Sequence, residues 1–221
     1  MRGARQNQSL APLTMPKAEP PRAWQRMLSG RRLDLLDPSP LDVEIEDIAH
    51  GLARVARWNG QTIGPHIFSV AQHSLLVERV AEAMHPKMPA DWRLCVLLHD
   101  AAEYVIGDLI SPFKVVLGHS YKGVENRILA AILLRFSLPP SLPPLLARHT
   151  KEADRTATFY EATRLAGFAH PEATKFFGHP NLALANLEAL IEPQPVEATE
   201  QRFLARFLAI EAERARAQSR V

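Results

Sequence analysis

The chain has 221 residues, 47% of them hydrophobic, enough to bury one substantial core, whereas two domains would each be small. Lys and Arg number 26 against 24 Asp and Glu, and a formal charge of +2 makes no field that argues for nucleic acid as a partner. The single cysteine, Cys95, excludes an internal disulfide, and no stretch reaches the roughly 20 uninterrupted apolar residues that span a bilayer. A cytoplasmic protein without membrane contact and without a secretory signal is expected.

Residues 1–25 hold four prolines, mostly basic charges and few large apolar groups, so they are expected to form a mobile tail ahead of a single domain over 26–221. "GRRLDLLDPSPLDVEIED" alternates short apolar runs with a Pro-rich turn and predicts a small hairpin or an extended segment. Beyond it the pattern is helical. Ile48, Leu52 and Val55 recur at helical spacing, then Gly64 and Pro65 in "QTIGPH" interrupt. A helix over about 68–84 follows, with Val70, His73, Val77, Val80, Ala81 and Met84 on one stripe, which turns His73 inward. "HPKMPAD" breaks the chain, Asp91 offers a cap, and a helix over 92–106 is predicted. Further helices are predicted over about 121–136, 144–167, 180–190 and 197–217, divided by the Pro-containing joints "SLPPSLPP", "FGHP" and "EPQP". The last carries an apolar stripe through Phe203, Phe207 and Ile210 that suits closing a bundle or forming a dimer equally well. With no repeat, no alternating strand set and no Gly-rich phosphate loop, the fold class is all-α, a helical bundle.

The segment "LCVLLHDAAEYVIGDLISPFK" is apolar on almost every side of a helix, yet it carries His99, Asp100, Glu103 and Asp108. Leu94, Leu98, Ala101 and Val105 form one face, and His99, Asp100 and Glu103 lie opposite. A buried carboxylate needs a partner or it shifts its pKa until it is neutral, and a partner that accepts a His and an Asp side by side is a basic side chain or a divalent metal. The metal accounts for more, because His73 also points inward and Asp154 lies on a later helix beside Ala153 and Ala157. Two imidazoles and two carboxylates suit Mn, Co, Fe, Ni or Zn and leave positions for water and substrate.

His73, then His99-Asp100, then Asp154 resembles the HD-domain superfamily of metal-dependent phosphohydrolases, named for its His-Asp pair. "AQHSLLV", "LLHDAAEYVIGDLISPFK" and "KEADRTATFYEATRLAG" are similar to the corresponding segments of bacterial HD-domain 5'-deoxynucleotidases. The stretch "SGRRLDLLDPSPLDVEIEDIAHGLARVARWNGQT" resembles a phage- and prophage-associated branch of that group. The resemblance implies an HD-type bundle in which His73, His99, Asp100 and Asp154 ligate one divalent ion (Mn, Co, Fe, Ni, Zn or Mg), and Glu103 orients or deprotonates the attacking water. It implies further that Asp108 assists at the leaving or nucleophilic oxygen, and that Arg57 and Trp58 contact phosphate and nucleoside. The Arg-Trp pair departs from the family by one residue of spacing, which leaves Arg54 as the alternative, and no role carries over to Gln72. Lys114 is a further candidate for the phosphate, and His119 or His149 for a second metal, although His149 is turned about 140° from Asp154 on the same helix.

The expected activity is hydrolysis of nucleoside 5'-monophosphates, preferably deoxy, to nucleoside and phosphate. Its alternatives are a nucleoside triphosphohydrolase, a cyclic-nucleotide phosphodiesterase and a non-catalytic nucleotide-binding module. The expected partner is a small nucleotide or phosphate ester, and a homodimer is implied by the resemblance alone.

Overall fold

The computed structural model describes residues 22–110, 119–180, 182 and 184–219. Among them the chain opens with an antiparallel hairpin of β1 (Trp24–Arg26) and β2 (Arg32–Asp34), in the register Trp24 with Asp34, Gln25 with Leu33 and Arg26 with Arg32. Trp24 and Gln25 therefore belong to β1, and the rest of the expected tail, up to residue 21, lies outside the described residues. The hairpin docks through the buried Leu33, and through Ser29, whose amide and hydroxyl donate to Asp47 at 3.0 and 2.5 Å.

Nine helices follow among the described residues, so the expected all-α bundle with a short N-terminal hairpin is what the chain forms. They are α1 (Ile45–Arg54), α2 (Val70–Met84), α3 (Ala90–Leu97), α4 (Glu103–Ile106), α5 (His119–Arg135), α6 (Pro144–Arg164), α7 (His170–Phe177), α8 (Leu187–Ile191) and α9 (Val196–Gln218). The Ser69 hydroxyl caps α2 by accepting from the Gln72 amide. Buried residues occur all round α2, from Val70 and Ala71 through Leu76 and Val77 to Ala81, because α1, α3, α6 and α9 all pack against it. The apolar stripe of α9 closes the bundle: Phe203, Phe207 and Ile210 are buried within the chain, where each is worth about 1.5–3 kcal/mol, and are not offered to a second copy.

Several boundaries differ from expectation. The helix predicted over 92–106 is two helices separated by a tight turn through residues 98–102, where His99, Ala101, Glu103 and Tyr104 amides bond three residues back. The turn breaks the regular spacing of a helix, about 100° per residue, and in it Asp100 lies against both the His99 ring and the His73 ring of α2. Asp91 is not the cap. The helix α3 starts at Ala90 after Pro89, and Asp91 accepts from Arg214 on α9 at 2.5 Å. Finally, α6 stops at Arg164, where Gly167 adopts φ +78° and lets the Phe168 amide reach back to the Ala162 carbonyl. Pro171 in the first turn of α7 then restarts the chain as a helix that periodicity did not separate, while the helix predicted over 180–190 is confined to Leu187–Ile191. No helix among the described residues is long and apolar enough to cross a membrane.

Candidate functional site

The contact between α2 and α6 builds the site. Asp154 and Glu161 are seven residues apart on α6, two turns, and so share a face. That face meets His73 on α2. Asp154 Oδ1 lies 3.3 Å from His73 Nε2, and Glu161 Oε1 accepts from His73 Nδ1 at 2.5 Å. From the tight turn after α3, Asp100 Oδ2 comes within 3.5 Å of His73 Nε2 and 3.2 Å of His99 Nε2. The His99 ring is fixed from behind, its Nδ1 donating to the Val96 carbonyl at 2.9 Å, and Thr158 steadies Asp154 with a hydroxyl bond of 3.2 Å.

Ligand atoms of His73, His99 and Asp154 all lie within 4.8 Å of one another. Asp100 falls outside that tight trio but touches both imidazoles. The nearby oxygens lie off the hydrogen-bonding direction, so Nε2 of His73 and Nε2 of His99 are buried without a hydrogen-bond partner. Two orphaned imidazole nitrogens facing carboxylates are costly on their own and satisfied by a cation, so the four residues fit a divalent metal. The carboxylates are the accessible part of the cluster: the Asp154 and Asp100 side chains are 37% and 25% exposed, whereas His73 is fully buried.

The electrostatics favour a cation as well. Burial and the Arg57 charge push His73 down, but Glu161, Asp100 and Asp154 outweigh them and hold its pKa well above the usual value. Burial would raise the Asp100 carboxyl, yet the His99 and His73 beside it hold it well below the carboxylate range. Asp154 is likewise lowered, with burial overcome by His73 and His99. Glu161 is held at about 2: its burial opposes ionisation, and His73, Arg57 and the Trp58 N–H prevail.

Of the two arginines that sequence offered, the fold brings Arg57 to the site. Arg57 Nε lies 3.3 Å from Glu161 Oε2 and its Nη1 lies 3.2 Å from Asp108 Oδ2. Arg54 faces away and bonds Glu200 of α9 at 2.6 Å. Gly107, at φ +79°, ends α4 and delivers Asp108 to Arg57. Trp58 donates Nε1–H to Glu161 Oε2 at 3.0 Å and packs against Phe168 and Phe177. Its backbone is left-handed, φ 58°, a conformation costing an L side chain of order 1–3 kcal/mol and retained here by those contacts. Glu103 is buried one turn after His99. Gln72 has a structural task, bonding the Glu192 carbonyl and the Gln194 amide ahead of α9.

Lys114 and the His119 side chain lie outside the described residues. His149 stacks on His85 with ring centroids 3.7 Å apart, and it is not among the metal-capable residues found in the described part. The residue that sequence reasoning passed over is Glu161, a fully buried carboxylate touching His73, Arg57 and Trp58. Its signal was present: an acid seven residues after Asp154 on a helix must share that ligand's face.

Residues 70–159 match the model of the HD domain. An uncharacterised protein of Rhodobacter capsulatus is 54% identical over 175 residues, covering 79% of this chain and 89% of its own length. The chain belongs to the HD-domain family. The uncharacterised Escherichia coli protein YfdR is 34% identical over 99 residues, 45% of this chain and 50% of that protein. The matched span of the HD domain opens with the first residue of α2 and includes His73, the His99-Asp100 turn and Asp154, while Arg57, Trp58 and Glu161 lie outside it. Membership makes a metal-dependent phosphohydrolase the coarse reading, and the family's divalent metal agrees with the cluster of His73, His99 and Asp154.

Proposed function

We propose that this HD-domain protein hydrolyses the phosphate monoester of nucleoside 5'-monophosphates, preferably deoxy, with one divalent cation held by His73, His99, Asp100 and Asp154. The observation that carries the reading is the convergence of ligand atoms from His73, His99 and Asp154 within 4.8 Å, beside two buried imidazole nitrogens that lack any hydrogen-bond partner. When bound, the cation supplies Lewis acidity to the phosphoryl group and to its attacking water.

The chain's own residues do the rest. The exposed edge of the cluster, at Asp100 and Asp154, is where the substrate enters, and the buried imidazoles form the floor. Arg57, next to that edge, balances the negative charge that builds on the phosphoryl oxygens, with Asp108 and Glu161 holding its guanidinium in place. Glu103 accepts the proton of the attacking water, and Trp58 offers its indole to the nucleoside. A small substrate is favoured over nucleic acid because the chain's net charge is only +2.

The test is a panel of ribo- and deoxynucleoside monophosphates, triphosphates and 3',5'-cyclic monophosphates, each with Mn²⁺, Co²⁺, Mg²⁺, Zn²⁺, Ni²⁺ and Fe²⁺. Inorganic phosphate released from a 5'-monophosphate is the expected result. Tripolyphosphate from a triphosphate, or a monophosphate from a cyclic ester, would move the assignment to those chemistries. Tight nucleotide binding with no product under any metal would make the protein a regulatory module.

A further inference from the structure

We infer that Glu161 is a positioning residue that couples the metal cluster to the phosphate-side pair Arg57 and Trp58 through the two oxygens of one carboxylate. The inference rests on the reading of the site given above and goes beyond it by assigning a residue outside the matched HD-domain span.

The geometry divides the labour between the oxygens. Oε1 accepts from His73 Nδ1 at 2.5 Å, which holds a ring proton on Nδ1 and turns Nε2 toward Asp100 and Asp154. Oε2 accepts from Trp58 Nε1 at 3.0 Å and from Arg57 Nε at 3.3 Å. The far end of the guanidinium donates from Nη1 to Asp108 Oδ2 at 3.2 Å, so the two carboxylates fix its orientation. Glu161 is fully buried, so no water competes for either oxygen. The left-handed backbone of Trp58 fits the same account, because the indole must turn back to reach Oε2. A hydrogen bond to one oxygen orients the carboxylate for the other, so occupation of the metal cluster and seating of the phosphate influence one another, and the coupling is reciprocal.

Glutamine is the informative replacement. An amide of the same size has one acceptor and one donor end, whereas this site presents N–H donors on both sides. Glu161→Gln can serve His73 or the Arg57 and Trp58 pair, but never both. Trp58→Phe removes one donor on the substrate side and leaves the bond to His73 intact.

The experiment titrates metal-free protein with Mn²⁺ by calorimetry, measures inorganic phosphate binding with and without Mn²⁺, and compares KM with kcat for the monophosphate. E161Q is expected to bind Mn²⁺ about 10–100-fold more weakly, to raise KM more than it lowers kcat, and to lose the mutual enhancement between Mn²⁺ and phosphate. W58F, which keeps the bond between Glu161 and His73, should raise KM and weaken Mn²⁺ binding less than E161Q does. Wild-type Mn²⁺ affinity and KM in E161Q, with only a lower melting temperature, would overturn the inference and leave Glu161 a structural residue. If E161Q does not fold, Glu161→Asp, whose shorter arm cannot span both partners, decides the matter by the same readouts, and wild-type values there refute it. Should the wild-type protein hydrolyse no phosphate ester, the proposed function falls, while the Mn²⁺ and phosphate titrations still test the coupling.

Discussion

Gly51→Ala sets two effects of known size against each other. Gly51 lies inside α1, where alanine would normally gain about 1 kcal/mol of helix propensity. But α1 crosses α4 so closely that a Cβ at position 51 would sit 2.7 Å from the Tyr104 carbonyl oxygen, 2.9 Å from its Cβ and 3.1 Å from its Cα. These atoms belong to the backbone or its root, so none can rotate away, and the helices must separate by about 0.7 Å to restore ordinary contact. Overpacking costs typically about 1–3 kcal/mol, and against backbone atoms that cannot rotate away the upper part of that range, about 2–3 kcal/mol, applies, which less the propensity gain leaves a net loss of about 1–2 kcal/mol. For a domain of this size each kcal/mol is about 2–4 °C, so the melting temperature should fall by about 2–8 °C. Tyr104 follows the His99-Asp100 turn directly, so the separation also disturbs the metal cluster and should weaken Mn²⁺ binding. Thermal unfolding followed by circular dichroism, with a parallel Mn²⁺ titration, checks both. A melting temperature equal to or above that of the wild type would show that α1 and α4 do not approach as described.

Asp100→Ala should abolish metal retention and turnover together, because Asp100 touches both imidazoles, whereas Glu103→Ala should keep the metal after dialysis and lose turnover; full activity in the latter would remove Glu103 from the mechanism. Metal affinity should fall as pH is lowered: neighbouring carboxylates raise the His73 pKa, so at lower pH the ring is protonated and its Nε2 cannot ligate. Calorimetry in buffers of different ionisation enthalpy should find protons released on Mn²⁺ binding, and affinity independent of pH would contradict the assignment of His73. Burial pushes the Cys95 thiol up to about 11, so its thiolate appears only near that pH and the folded protein should resist a thiol-labelling reagent at pH 8. Rapid labelling of native protein would show Cys95 to be accessible.

The set of chemical groups was legible in the sequence because helical periodicity is local. An inward His73, the His99-Asp100 pair in an apolar segment and Asp154 beside small apolar residues each follow from the residues within a turn or two. The all-α class followed in the same way, as did the short hairpin ahead of the first helix. What periodicity could not supply is the pairing between elements. Whether Arg54 or Arg57 meets the site depends on the 3₁₀ turn at Arg57–Gly60 and the left-handed Trp58, which redirect the chain after α1. The winding of the His99-Asp100 turn comes from packing of the flanking helices, since local propensity alone would carry the helix straight through. Tertiary structure alone turned the α9 stripe inward and joined Glu161 to His73 across 88 residues of sequence, because a buried carboxylate can be stable only where the fold gathers enough donors around it.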